Sequence, residues 1–454
     1  MSSLLSGLDF YRPYRNRKIH QGLDGVLDSV VGRYYRRSSR IEVFAVLADQ
    51  VLEQDGNLLH LTRLELSEKI AAVSVEFIRS SPPSDERLVY ALALLARMSE
   101  QVVGLYPRKN QLMAIIALQK DCVIEMDTGE GKTLVVGLAG ILFGWRRKPC
   151  HLLTVNDYLA ERDCDFIKPL AEVCGLSCAF VVASQSPQER QGAYRSDLLY
   201  TSGHELLADY LKDQIALKAY KSHAHWTIQK CVADTGGDQI TRGIHSVIID
   251  EVDSVLIDQA VSPLLISAPG NDESLAAAIL LARQLCSDFS EGLHYRLQQE
   301  YRSVDFSVLG DERVAELASR LPAMWRRVSR AKELFATAIA AAEFYHAGRD
   351  YIVEDDKVVI VDESTGRKMP ERSWSQGLHQ AIEAKEDVEI TPPNYTLERM
   401  SFQNFFRLFA RVGGVSGTIR EAAAELWHIY RLPTLHIPRH TPCLRQGEPM
   451  QLFA

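Results

Sequence analysis

The sequence predicts an α/β protein: a parallel sheet with helices on both faces, an inserted α+β domain and a helical N-terminal region. Between residues 120 and 250, short apolar segments alternate with longer amphipathic ones, the pattern of strands and helices in a parallel sheet. A glycine-rich turn at 128–133 stands between the first such strand and the first such helix. After Pro269 the alternation stops, and apolar residues follow helical spacing instead.

Composition and charge narrow the class of protein. The 454 residues are 46% hydrophobic and 24% charged, a globular composition with material for several domains. The formal net charge is −8, so nucleic acid is a disfavoured partner, although a local basic patch stays open. None of the eight cysteines stands in a CxxC pair, which favours free thiols in a reducing compartment. We expect neither a membrane span nor a signal peptide, because no apolar run is long enough.

Four regions are expected along the chain: a helical N-terminal region at 1–105, the first part of the sheet domain at 106–268, an inserted domain at 269–375, and the second part with the C-terminal end at 376–454. The first region has helical spacing at 40–54, 66–79 and 86–103. Strands are expected at 122–126, 151–155, 178–183, 197–202 and 246–250. Helices are expected between them at 132–145, 157–174, 187–195 and 205–217. In the insert, 271–344 is expected to be mostly helical, and 351–354 with 357–362 to form a hairpin.

The turn at 128–133 has the features of a phosphate-binding loop. It reads Thr128, Gly129, Glu130, Gly131, Lys132 and Thr133. Glycines let the backbone turn tightly and direct N–H groups at phosphate oxygens, and the following helix adds the positive end of its dipole. Lys132 is expected to reach the β- and γ-phosphates of ATP, and the Thr133 hydroxyl to bind Mg²⁺. An ordinary strand-to-helix turn is the alternative, which the Gly-Lys-Thr ending in this context disfavours.

A second motif follows the strand expected at 246–250. Asp250 and Glu251 stand where a nucleotide-binding sheet places acids near the phosphates, at the end of a buried strand. Asp250 is expected to hold Mg²⁺ through water, and Glu251 to orient and deprotonate the attacking water. An isolated acidic cluster is more often a solvated loop, but a phosphate loop on the same sheet reverses that preference. Glu251, Asp250 and Lys132 are therefore the predicted catalytic residues.

Longer segments resemble a known family. The segments at 125–133, 154–160 and 250–258 resemble three successive motifs of the SecA preprotein translocase ATPases. Further segments at 351–353, 361–367, 374–386, 402–407 and 416–418 are similar to later parts of that family. The resemblance covers about residues 105–445. It implies a RecA-like, DEAD-type P-loop nucleotide-binding domain with an inserted domain like the one that crosslinks to preproteins.

The resemblance also implies roles for individual residues. Gln111 resembles the glutamine that reads adenine in this family, with a surface glutamine as the alternative. Gly417 and Thr418 resemble a small motif that couples the phosphate site to domain movement. The insert at 269–375 resembles a domain that clamps unfolded polypeptide, and the hairpin at 351–362 would offer a strand edge for it.

Three departures from the family pattern are evident. Asp127 stands beside the phosphate loop where the family has arginine, and an unpaired carboxylate there would repel phosphates. Val261 replaces another arginine. No second motor domain is found, and in this family that domain carries arginine fingers, which in phosphoryl transfer are worth about 10³ to 10⁵ in rate.

Three functions remain open on the sequence. The first is a SecA-like motor in protein export, coupling ATP to unfolded preprotein, with a translocation channel or a full-length motor as partner. The second is a truncated nucleotide-binding adaptor with little ATPase activity of its own. The third, a DEAD-box-type RNA helicase, is disfavoured by the acidic charge. We expect a cytoplasmic location with peripheral contact at the inner membrane, where the arginines and tyrosines at 11–37 would meet anionic lipid.

Overall fold

The chain forms two compact units. The computed structural model describes residues 19, 22–35, 39–79, 83–218, 239–269, 273–361, 368–369, 373–374, 377–392 and 394–441. The described residues up to Ile266, together with those from Glu398 onward, make the first unit, and Ser267–Leu397 makes the second. The first unit therefore consists of two stretches of chain, with the second unit inserted between them.

The first unit begins with helices. These are α1 (Gly22–Tyr35), α2 (Ser39–Gly56), α3 (Arg63–Arg79), α4 (Asp85–Val103) and α5 (Lys109–Leu118). The oxygen of Ser84 caps the start of α4 by accepting from the Arg87 N–H, and Gly104 ends the helix in a left-handed conformation. The helices expected at 40–54, 66–79 and 86–103 are thus confirmed, each within a few residues.

A seven-stranded sheet within the described residues forms the centre of the first unit. Its strands are β1 (Val123–Glu125), β2 (Cys150–Thr154), β3 (Cys178–Phe180), β4 (Leu198–Ser202), β5 (Ser246–Asp250), β13 (Arg411–Ser416) and β14 (Thr434–His436). Their order is β14-β1-β13-β5-β2-β4-β3, and every neighbouring pair is parallel. The carboxyl ends of β1, β13 and β5 therefore lie side by side along one edge of the sheet.

Helices cover both faces of this sheet, as the sequence predicts. They are α6 (Lys132–Gly144), α7 (Asp157–Val173), α8 (Pro187–Tyr194), α9 (Gly203–Lys218), α14 (Phe402–Phe406) and α15 (Ala423–Tyr430). Successive side chains of a strand point to opposite faces. Ile248 of β5 accordingly packs in the core formed with α4 to α7, whereas Val247 and Ile249 pack in the core that contains Phe405 and Leu426. Burial on both faces explains the continuous apolar runs of these strands.

The second unit has its own core. Its helices are α10 (Glu273–Leu285), α11 (Val308–Ala318), α12 (Val328–Phe344) and α13 (Leu378–Lys385). Its strands are β7 (Tyr295–Gln298), β8 (Ser303–Phe306), β9 (Tyr351–Glu354), β10 (Lys357–Val361) and β11 (Lys368–Met369). The antiparallel pairing of β9 with β10 confirms the hairpin expected at this place. The antiparallel pair β7–β8 interrupts the stretch 271–344 that we expected to be mostly helical.

The insert ends later than expected. The second unit continues to Leu397 rather than to residue 375, because α13 belongs to its core: Ile382 is fully buried beside Ile279 and Phe335. The chain enters and leaves the unit through β6 (Pro263–Pro269) and β12 (Asn394–Ser401), which pair with each other. None of the helices described is long and apolar enough to cross a lipid bilayer.

Candidate functional site

The loop after β1 is partly open to solvent, with Thr128, Gly129 and Gly131 exposed. The Met126 N–H donates to the Ser416 carbonyl at 2.9 Å, which holds the start of the loop against β13. Gly129 and Gly131 have φ values of 88° and 81°, a left-handed conformation that glycine adopts without strain. Gly131 is also the N-cap of α6 and offers no capping side chain, so the N–H groups of the first turn remain available to a ligand.

Helix α5 contacts the loop through two polar side chains, Asn110 and Gln111. The Gln111 amide nitrogen donates to the Glu130 carbonyl at 2.8 Å, and its oxygen accepts from the Arg108 N–H at 2.8 Å. Asn110 donates to the Glu130 carboxylate at 2.6 Å. A Cβ on Gly131 would lie 2.4 Å from the Gln111 nitrogen, so this close approach requires glycine. Gln111 is buried and contacts the loop, while its reading of adenine stays a prediction.

The two predicted motifs meet at the carboxyl edge of the sheet. The Lys132 ammonium donates to Oε1 of Glu251 at 2.8 Å, although the two residues are 119 positions apart in the chain. Glu251 has a φ of 54°, a left-handed conformation that is uncommon for residues other than glycine. The Glu251 N–H lies 3.1 Å from Oδ1 of Asp250, which contributes to holding this turn. The structure therefore brings together the three residues predicted to be catalytic.

A serine from β13 joins the same group. Ser416 Oγ lies 2.9 Å from Oε2 of Glu251 and 2.7 Å from Oδ1 of Asp253. A hydroxyl has one proton, so it donates to one of these carboxylates at a time. The Thr418 hydroxyl donates to the other oxygen of Asp253. Ser416 and Asp253 are not among the predicted site residues, although the segments 416–418 and 250–258 that contain them resemble the family.

The pKa values of two neighbouring acids in this group, Asp250 and Asp253, are shifted in opposite directions. Burial, and then the charge of Glu251, raise the pKa of Asp250 to about 6. Burial also opposes ionisation of Asp253, but hydrogen bonds from Thr418 and Ser416 contribute to keeping its pKa below the usual value. Asp253 is therefore ionised at neutral pH, whereas Asp250 takes up a proton in mild acid.

The residues present fit a magnesium nucleotide. A Cβ on Gly417 would lie 3.7 Å from Nζ of Lys132 and 3.8 Å from the Met126 carbonyl, so a larger side chain there would fill space beside the loop. Thr133 in the first turn of α6 and Asp250 at the end of β5 offer oxygen ligands, the kind that Mg²⁺ prefers. Thr128, Gly129, Glu130, Gly131, Lys132 and Thr133 form the continuous stretch that joins β1 to α6.

Asp127 and Val261, which stand where the family has arginine, have different surroundings. Asp127 is paired, because its carboxylate accepts from the Arg439 guanidinium. This hydrogen bond lowers the pKa of Asp127 below its usual range. Arg439 lies 312 positions away in the chain, and no local sequence signal pointed to it. Val261 is 78% exposed in the turn before β6.

Comparisons with known proteins agree with these motifs. The chain matches the SecA DEAD-like domain family over residues 30–427. It is 39% identical to protein translocase subunit SecA 2 of Magnetococcus marinus, over 96% of this chain and 68% of that protein. It is 35% identical to SecA 2 of Chlorobium chlorochromatii, over 97% of this chain and 68% of that protein. Protein translocase subunit SecA of Acinetobacter baylyi is also 35% identical, over 93% of this chain and 46% of that protein.

These matches cover the phosphate loop, the acidic motif and the second unit together. A DEAD-box-type RNA helicase is not favoured, because these relatives are named as protein translocase subunits. The chain spans about two thirds of the SecA 2 proteins and about half of the longer SecA protein. The α/β architecture with a parallel sheet agrees with a DEAD-like domain of RecA type. The chain belongs to the SecA family of protein translocase subunits.

Proposed function

We propose that this chain is an ATP-binding motor subunit that acts in protein translocation and couples ATP hydrolysis to the handling of unfolded polypeptide. One observation carries the proposal: Lys132 of the phosphate loop, Glu251 of the acidic motif and Ser416 of β13 are joined by hydrogen bonds at one edge of the sheet. Three elements that are distant in sequence thus place a cation, a carboxylate and a hydroxyl beside a phosphate cradle.

The proposed chemistry assigns a task to each side chain. When bound, ATP would supply the phosphoryl group, and Mg²⁺ would neutralise part of the negative charge of the phosphates. Lys132 holds phosphate oxygens, and the N–H groups at the start of α6 add positive potential. Glu251 orients and deprotonates water. Asp250 and Thr133 would hold the cation, the first through water. Most of the rate gain in such reactions comes from positioning and charge stabilisation rather than from covalent catalysis.

The test is ATP hydrolysis by the purified chain, with nucleotide binding followed by a fluorescent ADP analogue. Glu251→Gln keeps the shape of the side chain but removes the base, so we expect turnover to fall at least about 100-fold with binding retained. Glu172→Gln, at an exposed position of α7, is the matched control. Undiminished turnover in Glu251→Gln would refute the catalytic assignment. Binding without turnover in the wild type would favour the adaptor function instead.

The second unit is the proposed polypeptide site. Its sheet runs in the order β11-β10-β9, so β9 is an edge strand among the residues described. Edge strands present unpaired backbone groups to which an extended chain can add. Val353 of β9 is 44% exposed and provides an apolar contact. These features support binding of an unfolded segment along β9.

Site-specific crosslinking tests this assignment. A photoreactive amino acid at Val353 should label an unfolded, export-competent polypeptide. The same group at Val328, which is 48% exposed on α12, is the matched control and should give several-fold less product. Equal labelling at both positions would mean that the polypeptide contacts the surface without selecting β9.

The proposal places the chain in the cytoplasm, with a translocation channel or a full-length motor as partner and with peripheral contact at the inner membrane. Within the segment 11–37, expected to meet anionic lipid, residues 11–18, 20, 21, 36 and 37 lie outside the described residues. Binding to anionic vesicles should be lost when residues 1–37 are deleted, and binding that persists would refute the lipid contact. Stimulation of ATP hydrolysis by RNA would revive the helicase function.

A further inference from the structure

Two acids stand at the phosphate loop, one beside it and one within it, in the region where phosphates would bind. Asp127 precedes Thr128, and Glu130 stands between Gly129 and Gly131. Successive Cα atoms are 3.8 Å apart, so the Asp127 backbone lies within roughly 8 Å of the Gly129 N–H. At such a distance an uncompensated carboxylate weakens the binding of an anion. The loop therefore requires a compensating charge.

One short segment contacts the end of β1 and the region of the loop at three points. It comprises residues 437–441, which follow β14 at the edge of the sheet. The Ile437 N–H donates to the Glu125 carbonyl at 2.9 Å. The Arg439 guanidinium binds the carboxylate of Asp127, and the His440 N–H lies 3.4 Å from Oε2 of Glu130. The segment thus contacts Glu125 at the end of β1, Asp127 beside the loop and Glu130 within it.

Two other basic side chains, His436 and Arg420, lie near Glu125 at the end of β1. His436 Nδ1 and Arg420 Nε lie 3.4 Å and 3.9 Å from Oε1 of Glu125. Arg420 is largely exposed, whereas the Arg439 side chain is 38% exposed and engaged with Asp127. Among the residues described, Arg439 is therefore the basic side chain that directly contacts Asp127.

We propose that Arg439 is a positioning residue for nucleotide binding: by pairing with Asp127 it cancels the carboxylate charge beside the phosphates and holds the 437–441 segment against the loop. This inference rests on the proposed function, because it assumes that the loop binds nucleotide. It assigns a role to a residue outside both predicted motifs. It also accounts for an acid at position 127, which would otherwise oppose the function of its own loop.

A charge cycle tests the proposal, with the dissociation constant of a fluorescent ADP analogue as the readout. Arg439→Gln leaves Asp127 uncompensated and should weaken binding by about threefold to tenfold at low salt. Asp127→Asn should bind at least as tightly as the wild type. The double variant should return to within about twofold of the wild type, since both charges are gone. Arg439→Lys should keep most of the affinity, and Arg63→Gln, at an exposed position of α3, is the matched control.

Salt dependence separates charge cancellation from simple support of the loop. Because Asp127 is partly exposed, the weakening in Arg439→Gln should shrink in about 0.5 M salt. Wild-type affinity in Arg439→Gln, or a double variant as weak as that single variant, would overturn this proposal while the proposed function stands. Failure of every variant to bind nucleotide, the wild type included, would refute the proposed function and this proposal with it.

Discussion

A single methyl group added to β13 should destabilise the first unit strongly. Gly414 lies in the sheet between β1 and β5, opposite Ile249 of β5. A Cβ at Gly414 would lie 2.0 Å from Cγ2 of Val252 and 2.5 Å from the Ile249 carbonyl oxygen. The carbonyl belongs to a neighbouring strand, so it cannot move away without distorting the sheet. Gly414→Ala therefore forces either the β5 backbone or Val252 out of place.

The adjacent glycine provides a matched control for the magnitude. A Cβ at Gly413 would meet Cδ2 of Leu118 at 3.2 Å, the end of a flexible side chain that can shift by a few tenths of an ångström. Overpacking a core typically costs about 1–3 kcal/mol, and a backbone clash lies at or above the top of that range. We expect a loss of at least about 3 kcal/mol for Gly414→Ala and less than about 1 kcal/mol for Gly413→Ala. Whole domains are stable by only about 5–15 kcal/mol.

Urea unfolding followed by circular dichroism measures this difference, with the soluble yield as a second readout if Gly414→Ala folds poorly. Val252 stands between Glu251 and Asp253, so the Gly414→Ala protein should also bind nucleotide more weakly. A free energy of unfolding within about 1 kcal/mol of the wild type would refute the packing argument. Equal losses in Gly413→Ala and Gly414→Ala would do the same, because the two positions differ only in what a Cβ meets.

Three further outcomes are expected. Burial raises the pKa of Asp250 to about 6, so Mg²⁺-dependent nucleotide binding should weaken below pH 6, and Asp250→Asn should remove that pH dependence. Burial lowers the pKa of His151 to about 4, whereas histidine in the unfolded chain titrates near 6.5. Stability that is present above pH 6.5 is therefore lost as the pH falls, by about 2 kcal/mol at pH 5. His151→Gln should flatten the dependence of the free energy of unfolding on pH in this range. Gln111→Ala removes the donor to the Glu130 carbonyl and should weaken nucleotide binding about tenfold in the same titration, while Gln50→Ala, at an exposed position of α2, should not.

The parts of the fold that sequence predicts are those whose burial follows a simple period. Strand β5 lies inside the sheet with both faces covered, so Val247, Ile248 and Ile249 form an apolar run that marks a strand. Strand β13 is equally central but contains Gly413 and Gly414, residues that disfavour strands in isolation. Its place between β1 and β5 comes from tertiary packing, which local sequence does not report.

The candidate site likewise contains some contacts that the sequence predicts and others that it does not. The phosphate loop and the acidic motif are contiguous in sequence and adjoin predicted strands, so the edge where they meet could be predicted. The pairing of Asp127 with Arg439 could not, because it depends on where β14 ends relative to β1. The sequence does not predict that the insert extends to Leu397, because the residues against which α13 packs are not evident from its own segment.

The contacts at the sheet edge constrain one another through the number of available protons. Among the described residues, the Glu251 carboxylate has two side-chain donors, Lys132 and Ser416. Lys132 has three N–H donors, so an oxyanion can accept one of them while another still donates to Glu251; an oxyanion that draws the ammonium away leaves Ser416 as the remaining side-chain donor to Glu251. Ser416 has one proton, so donating it to Glu251 withdraws it from Asp253, which then keeps Thr418 as its hydroxyl donor. An oxyanion that draws Lys132 away from Glu251 therefore also alters the contacts that tie β13 and Thr418 to the acidic motif, because the single Ser416 proton cannot serve both carboxylates.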